Sequence, residues 1–219
     1  MILQTVDLVE VIANYLGITI IPIMTIILGR KVILERRKIN KFNMIRFINF
    51  CIFLTLSWIL IWEFLYETTP LGGVLNYELV KSMEFDSPTF SLYSFGIGLI
   101  ITLALVMMTY INRWESLYYV PFFIFAGMFI VFLLTAIAIF LIPYIFAGGV
   151  IAVVFLFATG LRLKDNSSFG LAIFATLIFP TLMVAEKTIV GQILSLVYPI
   201  FGIIFALGYF KLFKADVVE

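Results

Sequence analysis

Hydrophobic residues in this chain fall into long runs, and the charged residues gather in the short stretches between them. A helix that crosses the hydrocarbon core of a bilayer needs about 20 consecutive apolar residues, within a range of roughly 17–25. Runs of that kind lie at 8–29, 44–66, 90–111, 117–142, 144–161, 168–185 and 189–210. They predict an all-α polytopic integral membrane protein, a single seven-helix transmembrane domain over residues 1–219. Leu117 to Leu161 holds no charged residue in 45 positions. As one helix at 1.5 Å per residue it would be about 67 Å long, well beyond the core thickness, so it must turn back. Pro143 or the Gly148-Gly149 pair is where it can. Glu186 and Lys187 are the charged break between Phe169 and Phe210, which predicts a tight hairpin of the last two spans. In the long connection 67–89, Leu75, Leu79 and Met83 recur at helical spacing with Glu78, Lys81 and Glu84 between them. That pattern predicts a short amphipathic helix over 74–85, lying on the membrane face.

Charge gives these spans a direction. If they alternate, Arg30, Lys31, Arg36, Arg37, Lys38, Lys41, Arg46, Arg113, Arg162, Lys164, Lys211 and Lys214 share one side. These are twelve of the fourteen basic residues, and Lys81 and Lys187 remain opposite. Basic residues in short loops stay cytoplasmic, so the N-terminus is expected outside and the C-terminus in the cytoplasm, in a multi-pass protein of the cell membrane. Asp7 and Glu10 precede the first apolar run and Arg30 and Lys31 follow it, the reverse of a cleaved signal peptide. Trp58, Trp62 and Tyr66 fall at one end of the second span, and Tyr110, Trp114, Tyr118 and Tyr119 at the inner ends of the third and fourth, where interfacial anchors belong. The basic stretch 30–46 can also attract anionic lipids, at about 1 kcal/mol per basic residue, although orientation alone already accounts for it.

Composition changes the picture by exclusion. The chain is 63% hydrophobic and 12% charged, against roughly 45–50% and about 25% in soluble domains, so the lipid bilayer is its expected solvent. A net charge of +1 points to no nucleic acid. There is no histidine and one cysteine, Cys51. That removes His-ligated haem, zinc or copper, a Ser-His-Asp triad, an internal disulfide and multi-cysteine metal motifs. No cofactor or metal is expected. Walker A and TVGYG signatures are absent, as is a lysine at the centre of the last span of the kind a retinal Schiff base would need.

Three groups of residues remain as candidates. Asp7, Glu10 and Asn14 share one helix face at the outer mouth of the first span. With Glu63 and Glu186 they can form an acidic outer vestibule or ion path that attracts cations; headgroup-level charges obeying the topology are the simpler reading. Pro22, Pro180 and Pro199 lie near the middles of the first, sixth and seventh spans, where each removes a backbone donor and favours a kink. Such discontinuities build binding sites in transporters, and Thr19, Thr25, Gln192, Ser195 and Tyr198 lie close by in sequence. Ser94, Gly98 and Thr102, and Gly148 with Ala152, form small-residue stripes that permit close helix contact.

These patterns favour a non-catalytic membrane-embedded subunit or scaffold, partnered by other membrane subunits or by its own copies. The alternative is a small transporter or channel for a neutral or cationic solute. A seven-helix sensory or receptor-like module is the third reading, although little chain follows Phe210 to relay a signal. An enzyme fits least, since Glu63, Glu186 and tyrosine hydroxyls would have to act as acid or base without an evident partner.

Overall fold

A computed structural model describes residues 2–39, 43–68, 92–135, 140–183 and 189–213. Among them every regular element is helical: α1 (Ile2–Ile39), α2 (Met44–Thr68), α3 (Leu92–Ile111), a 3-10 turn at Glu115–Leu117, α4 (Val120–Thr135), α5 (Leu141–Leu163), α6 (Asn166–Met183) and α7 (Ile189–Leu207). Four described stretches are long and apolar enough to cross a membrane: Tyr15–Lys38, Met44–Trp62, Glu115–Thr135 and Leu141–Leu163. Phe95–Ile111, Asn166–Ile178 and Ile193–Leu207 are shorter apolar helices. The expected amphipathic helix at 74–85 lies outside the described residues.

Two boundaries depart from the sequence expectation. The stretch 30–46 is not a loop throughout, because α1 runs on to Ile39 with Arg36, Arg37 and Lys38 in its last turn. Leu, Glu, Arg and Lys are all good helix formers, and cations at a helix C-terminus meet the negative end of its dipole. Between α4 and α5, the described Phe140 is a turn residue and α5 begins at Leu141. Pro143 therefore sits in the first turn of α5, where a missing N–H is harmless, and Gly148 and Gly149 lie inside the helix.

The chain divides into two compact units, one of Met1–Lys31 with Val153–Glu219, the other Val32–Ala152. In the first, α1 and α7 run parallel. Gly17 meets the Tyr198 hydroxyl, Met24 meets Gly202, and the Lys31 ammonium donates to the Ala206 carbonyl. Helices α6 and α7 run antiparallel, with Gly170 against Phe205 and Phe174 against Gly202. Ile21, Met24, Leu156, Leu171, Ala172, Phe174 and Ala206 are buried in this unit.

In the second unit α3 and α4 are antiparallel: Gly98 meets Phe125, while the Phe95 ring lies 5.1 Å from that of Phe129. Helices α3 and α5 are parallel, through Gly98 with Leu141 and Thr102 with Tyr144. Gly96 of α3 faces Ile59 of α2. Ile52, Phe53, Leu56, Ile97, Ile101, Met107, Phe125 and Ile145 are buried here.

Helix ends are held by specific polar contacts. Asn43 caps α2 by accepting from the Arg46 N–H at 3.2 Å. The Asp165 carboxylate caps α6, accepting from the N–H groups of Ser167 at 3.2 Å and Ser168 at 2.9 Å and from the Ser168 hydroxyl. Three helices end on a left-handed residue, Arg113 (φ 57), Lys164 (φ 49) and Gly208 (φ 84). After α3, Arg113 N–H bonds Tyr110 O and Trp114 N–H bonds Thr109 O; after α7, Gly208 and Tyr209 bond Phe205 and Ile204 in the same way. These are Schellman closures, and glycine is the residue that enters them without a steric penalty.

Candidate functional site

No acidic vestibule can be assembled from the described side chains. Asp7, Glu10 and Asn14 lie on the N-terminal part of α1 and Glu63 lies late in α2, with their side chains outside the described residues; Glu186 lies outside them altogether.

The proline-bearing helices of the first unit are better defined. Pro22 is inside α1 and Pro199 inside α7, and both helices continue through them. Pro180 lies late in α6, with its side chain undescribed. Pro199 and Tyr198 are buried, and the Tyr198 ring meets Phe174 edge-on at 6.2 Å. A Cβ on Gly17 would fall 2.7 Å from the Tyr198 hydroxyl, so that phenol is seated directly on the α1 backbone. The neighbouring hydroxyls turn inward on their own helix: Thr19 donates to Tyr15 O at 2.7 Å and Thr25 to Ile21 O at 3.0 Å. Gln192 lies in α7 with its side chain undescribed, and Ser195 is engaged in an interaction of its own.

In the second unit the small-residue stripes are contact surfaces within the chain. A Cβ on Gly98 would stand 2.8 Å from the Phe125 ring and 3.1 Å from Leu141, and one on Gly148 would stand 3.0 Å from Ile101. Thr102 is fully buried and Ala152 nearly so, while the Ser94 side chain is undescribed. Thr102 donates its one proton to the Gly98 carbonyl at 2.8 Å. Its oxygen must therefore accept in the 2.7 Å contact with the Tyr144 hydroxyl, which makes Tyr144 the donor. This Tyr144–Thr102–Gly98 relay ties α5 to α3, with the aromatic rings of Phe95, Phe125 and Phe129 beside it.

The same economy holds elsewhere. Thr55, Ser57, Thr135 and Thr176 each donate to the carbonyl four residues back, and Thr109 to the one three back. A hydroxyl can satisfy itself this way because a helix carbonyl has a second lone pair. Two buried polar atoms depart from it, and the uncharged one is on Asn49, 4% exposed in the second turn of α2, whose Oδ1 accepts no hydrogen bond among the described residues. Sequence reasoning passed over Asn49, although an amide inside an apolar run was the available signal. Glu35 Oε2 lies 2.9 Å from Arg46 Nη1, an ion pair joining α1 to α2 whose angles fall outside hydrogen-bond geometry. No group of three or more Cys, Asp or Glu side chains capable of holding a metal occurs among the described residues.

No protein-family model, curated protein or solved structure matches this chain. What is established is an all-helical protein with several helices apolar enough to cross a membrane.

Proposed function

We propose that the protein is a non-catalytic, seven-span protein of the cell membrane that serves as an embedded subunit or scaffold of a larger membrane assembly. Helix α4 carries this reading. It is apolar throughout Val120–Thr135, yet only Pro121 and Phe125 of it are buried. Phe123, Ile130 and Leu134 stand exposed along one face, and a Cβ on Gly127 would meet nothing within 4 Å. That notch and its apolar rim are where a further membrane helix would approach closely. Alternation of seven spans is supported by helix direction, since α1 and α7 are parallel and so are α3 and α5, as odd-numbered spans crossing the same way must be. At about 1.5 Å per residue the 38 residues of α1 run about 57 Å, enough to cross a core of about 30 Å and carry Arg36, Arg37 and Lys38 beyond it. The twelve-to-two split of basic residues supports a cytoplasmic position for that end.

Gentle detergent extraction followed by mass measurement tests the proposal. Stoichiometric partners above the 24.9 kDa chain are expected. A homogeneous 24.9 kDa monomer overturns it. The juxtaposition of Pro22 and Pro199 helices through Gly17 and Tyr198 favours a second reading, a small transporter. Under that reading Glu63→Gln, which neutralises the acid set farthest into a span, lowers cation flux in reconstituted vesicles, and unchanged flux removes the acidic-path version of it.

A further inference from the structure

The inner end of the unit formed by 1–31 and 153–219 carries an arrangement that orientation by charge does not require. Asn166 opens α6 and reaches across 47 residues to the chain beyond α7. Its Oδ1 accepts from the N–H groups of Leu212 and Phe213, both at 2.9 Å, and its Nδ2 donates to Phe213 O at 2.8 Å. Phe169 adds a stacked contact with Phe210 and an edge contact with Phe213. This clamp fixes Lys211 beside the α5–α6 turn, where Lys164 stands. Lys164 occupies a left-handed position that a glycine would fill without strain. The acid of that turn, Asp165, is held by the first turn of α6, and among the described residues it forms no ion pair with Lys164 or Lys211. Apolar side chains flank the cations on both strands of chain: Leu163 beside Lys164, and Leu212, 58% exposed, beside Lys211.

We propose that Lys164 and Lys211 form a headgroup site for an anionic phospholipid. The ammonium groups take the phosphate while Leu163 and Leu212 enter the acyl boundary, the division of labour expected of cations on apolar stems at a membrane surface. Asn166 is its positioning residue. The proposal rests on the membrane reading above.

The test uses the purified full chain in detergent, titrated with phosphatidylglycerol and read by native mass spectrometry. A basic residue that contacts the headgroup is worth about fivefold in affinity, so Lys164→Gly with Lys211→Gln is expected to weaken retention roughly thirtyfold. Lys164→Gly relieves the left-handed backbone, so its effect is not one of misfolding. Arg113→Gly makes the same backbone change in the other unit and is expected to alter retention less than twofold. Asn166→Ala is expected to weaken it at unchanged charge. Equal losses from Arg113→Gly, or equal retention of phosphatidylcholine, would make the attraction diffuse and overturn the proposal. Displacement by millimolar inorganic phosphate would reassign the site to a soluble anion, which also overturns it. Persistence of the chain in membranes after alkaline washing tests the membrane reading separately.

Discussion

Converting Tyr144 to Phe removes one proton from the relay that joins α5 to α3 and leaves the ring contacts in place. The donor assignment makes the consequence calculable. Thr102 keeps its bond to the Gly98 carbonyl, and only one lone pair of its oxygen is left without a partner. In water-soluble proteins such a bond contributes about 1 kcal/mol, but between membrane helices coupling energies average about 0.6 kcal/mol with a maximum near 1.7. Tyr144→Phe is therefore expected to destabilise by about 0.6 kcal/mol. Thr102→Val is expected to be worse, at about 1–3 kcal/mol, because it strands the Tyr144 hydroxyl beside the apolar Phe125 as well as removing the Gly98 bond. The double variant has two apolar groups facing each other, so it should cost less than the sum by about the coupling energy. Equilibrium unfolding in mixed micelles, run as a four-protein cycle, measures this. A coupling indistinguishable from zero, or a Tyr144→Phe variant less stable than Thr102→Val, refutes the donor assignment.

Packing, capping and charge contacts elsewhere in the chain set three further outcomes. Gly160→Ala is expected to destabilise by about 1–3 kcal/mol, since its Cβ would stand 2.8 Å from the Phe169 N and Cβ atoms. Gly202→Ala meets only the movable end of Met24, 2.7 Å away, and the ring of Phe174, so it should cost less; thermal melts in one detergent that rank the two in the other order would refute the difference. Asp165→Ala removes the α6 cap and the partner of the Ser168 hydroxyl, for a loss of about 0.5–2 kcal/mol, while Asp165→Asn retains most of the stability. Arg46→Gln should destabilise more than Glu35→Gln, because it leaves the carboxylate, 17% exposed, without its counter-charge while Arg46 is 49% exposed and readily hydrated; denaturation midpoints in the reverse order would refute that asymmetry.

The helices were legible because an apolar run of about 20 residues in an otherwise charged sequence has few alternatives to a helix. Their ends were less so. Arg113 and Lys164 close their helices in left-handed conformations with no glycine to announce it, because local backbone hydrogen bonds hold the turn and the residue type does not. The continuation of α1 through Arg36 to Ile39 was hidden by reading charge as loop, when those residues are favourable helix formers that merely leave the apolar environment. The Asn166 clamp was not readable at all, since it joins residues 46 and 47 positions apart and its residue types are ordinary. Of the site residues, Gly98, Thr102 and Gly148 turned out to face neighbouring helices of their own unit, while the acidic set falls on side chains outside the described residues.

Asn49 gives the sharpest discrimination between a structural and a solute-handling interior. Threonine and serine donate to their own helix, but a side-chain acceptor has no such recourse: within a helix the N–H groups are already bonded. Its Oδ1 is therefore expected to destabilise the fold by about 1–3 kcal/mol as it stands. Asn49→Val, only modestly larger than the amide and free of that penalty, should leave the thermal midpoint in detergent unchanged or raised. A fall equivalent to more than about 1 kcal/mol would mean that the amide has a donor after all, supplied by water or by a bound solute. If the midpoint rises and stoichiometric partners are still recovered, the amide is dispensable to assembly and the scaffold reading stands. If the midpoint rises and cation flux disappears, the amide is retained for the solute at the expense of stability, and the transporter reading takes its place.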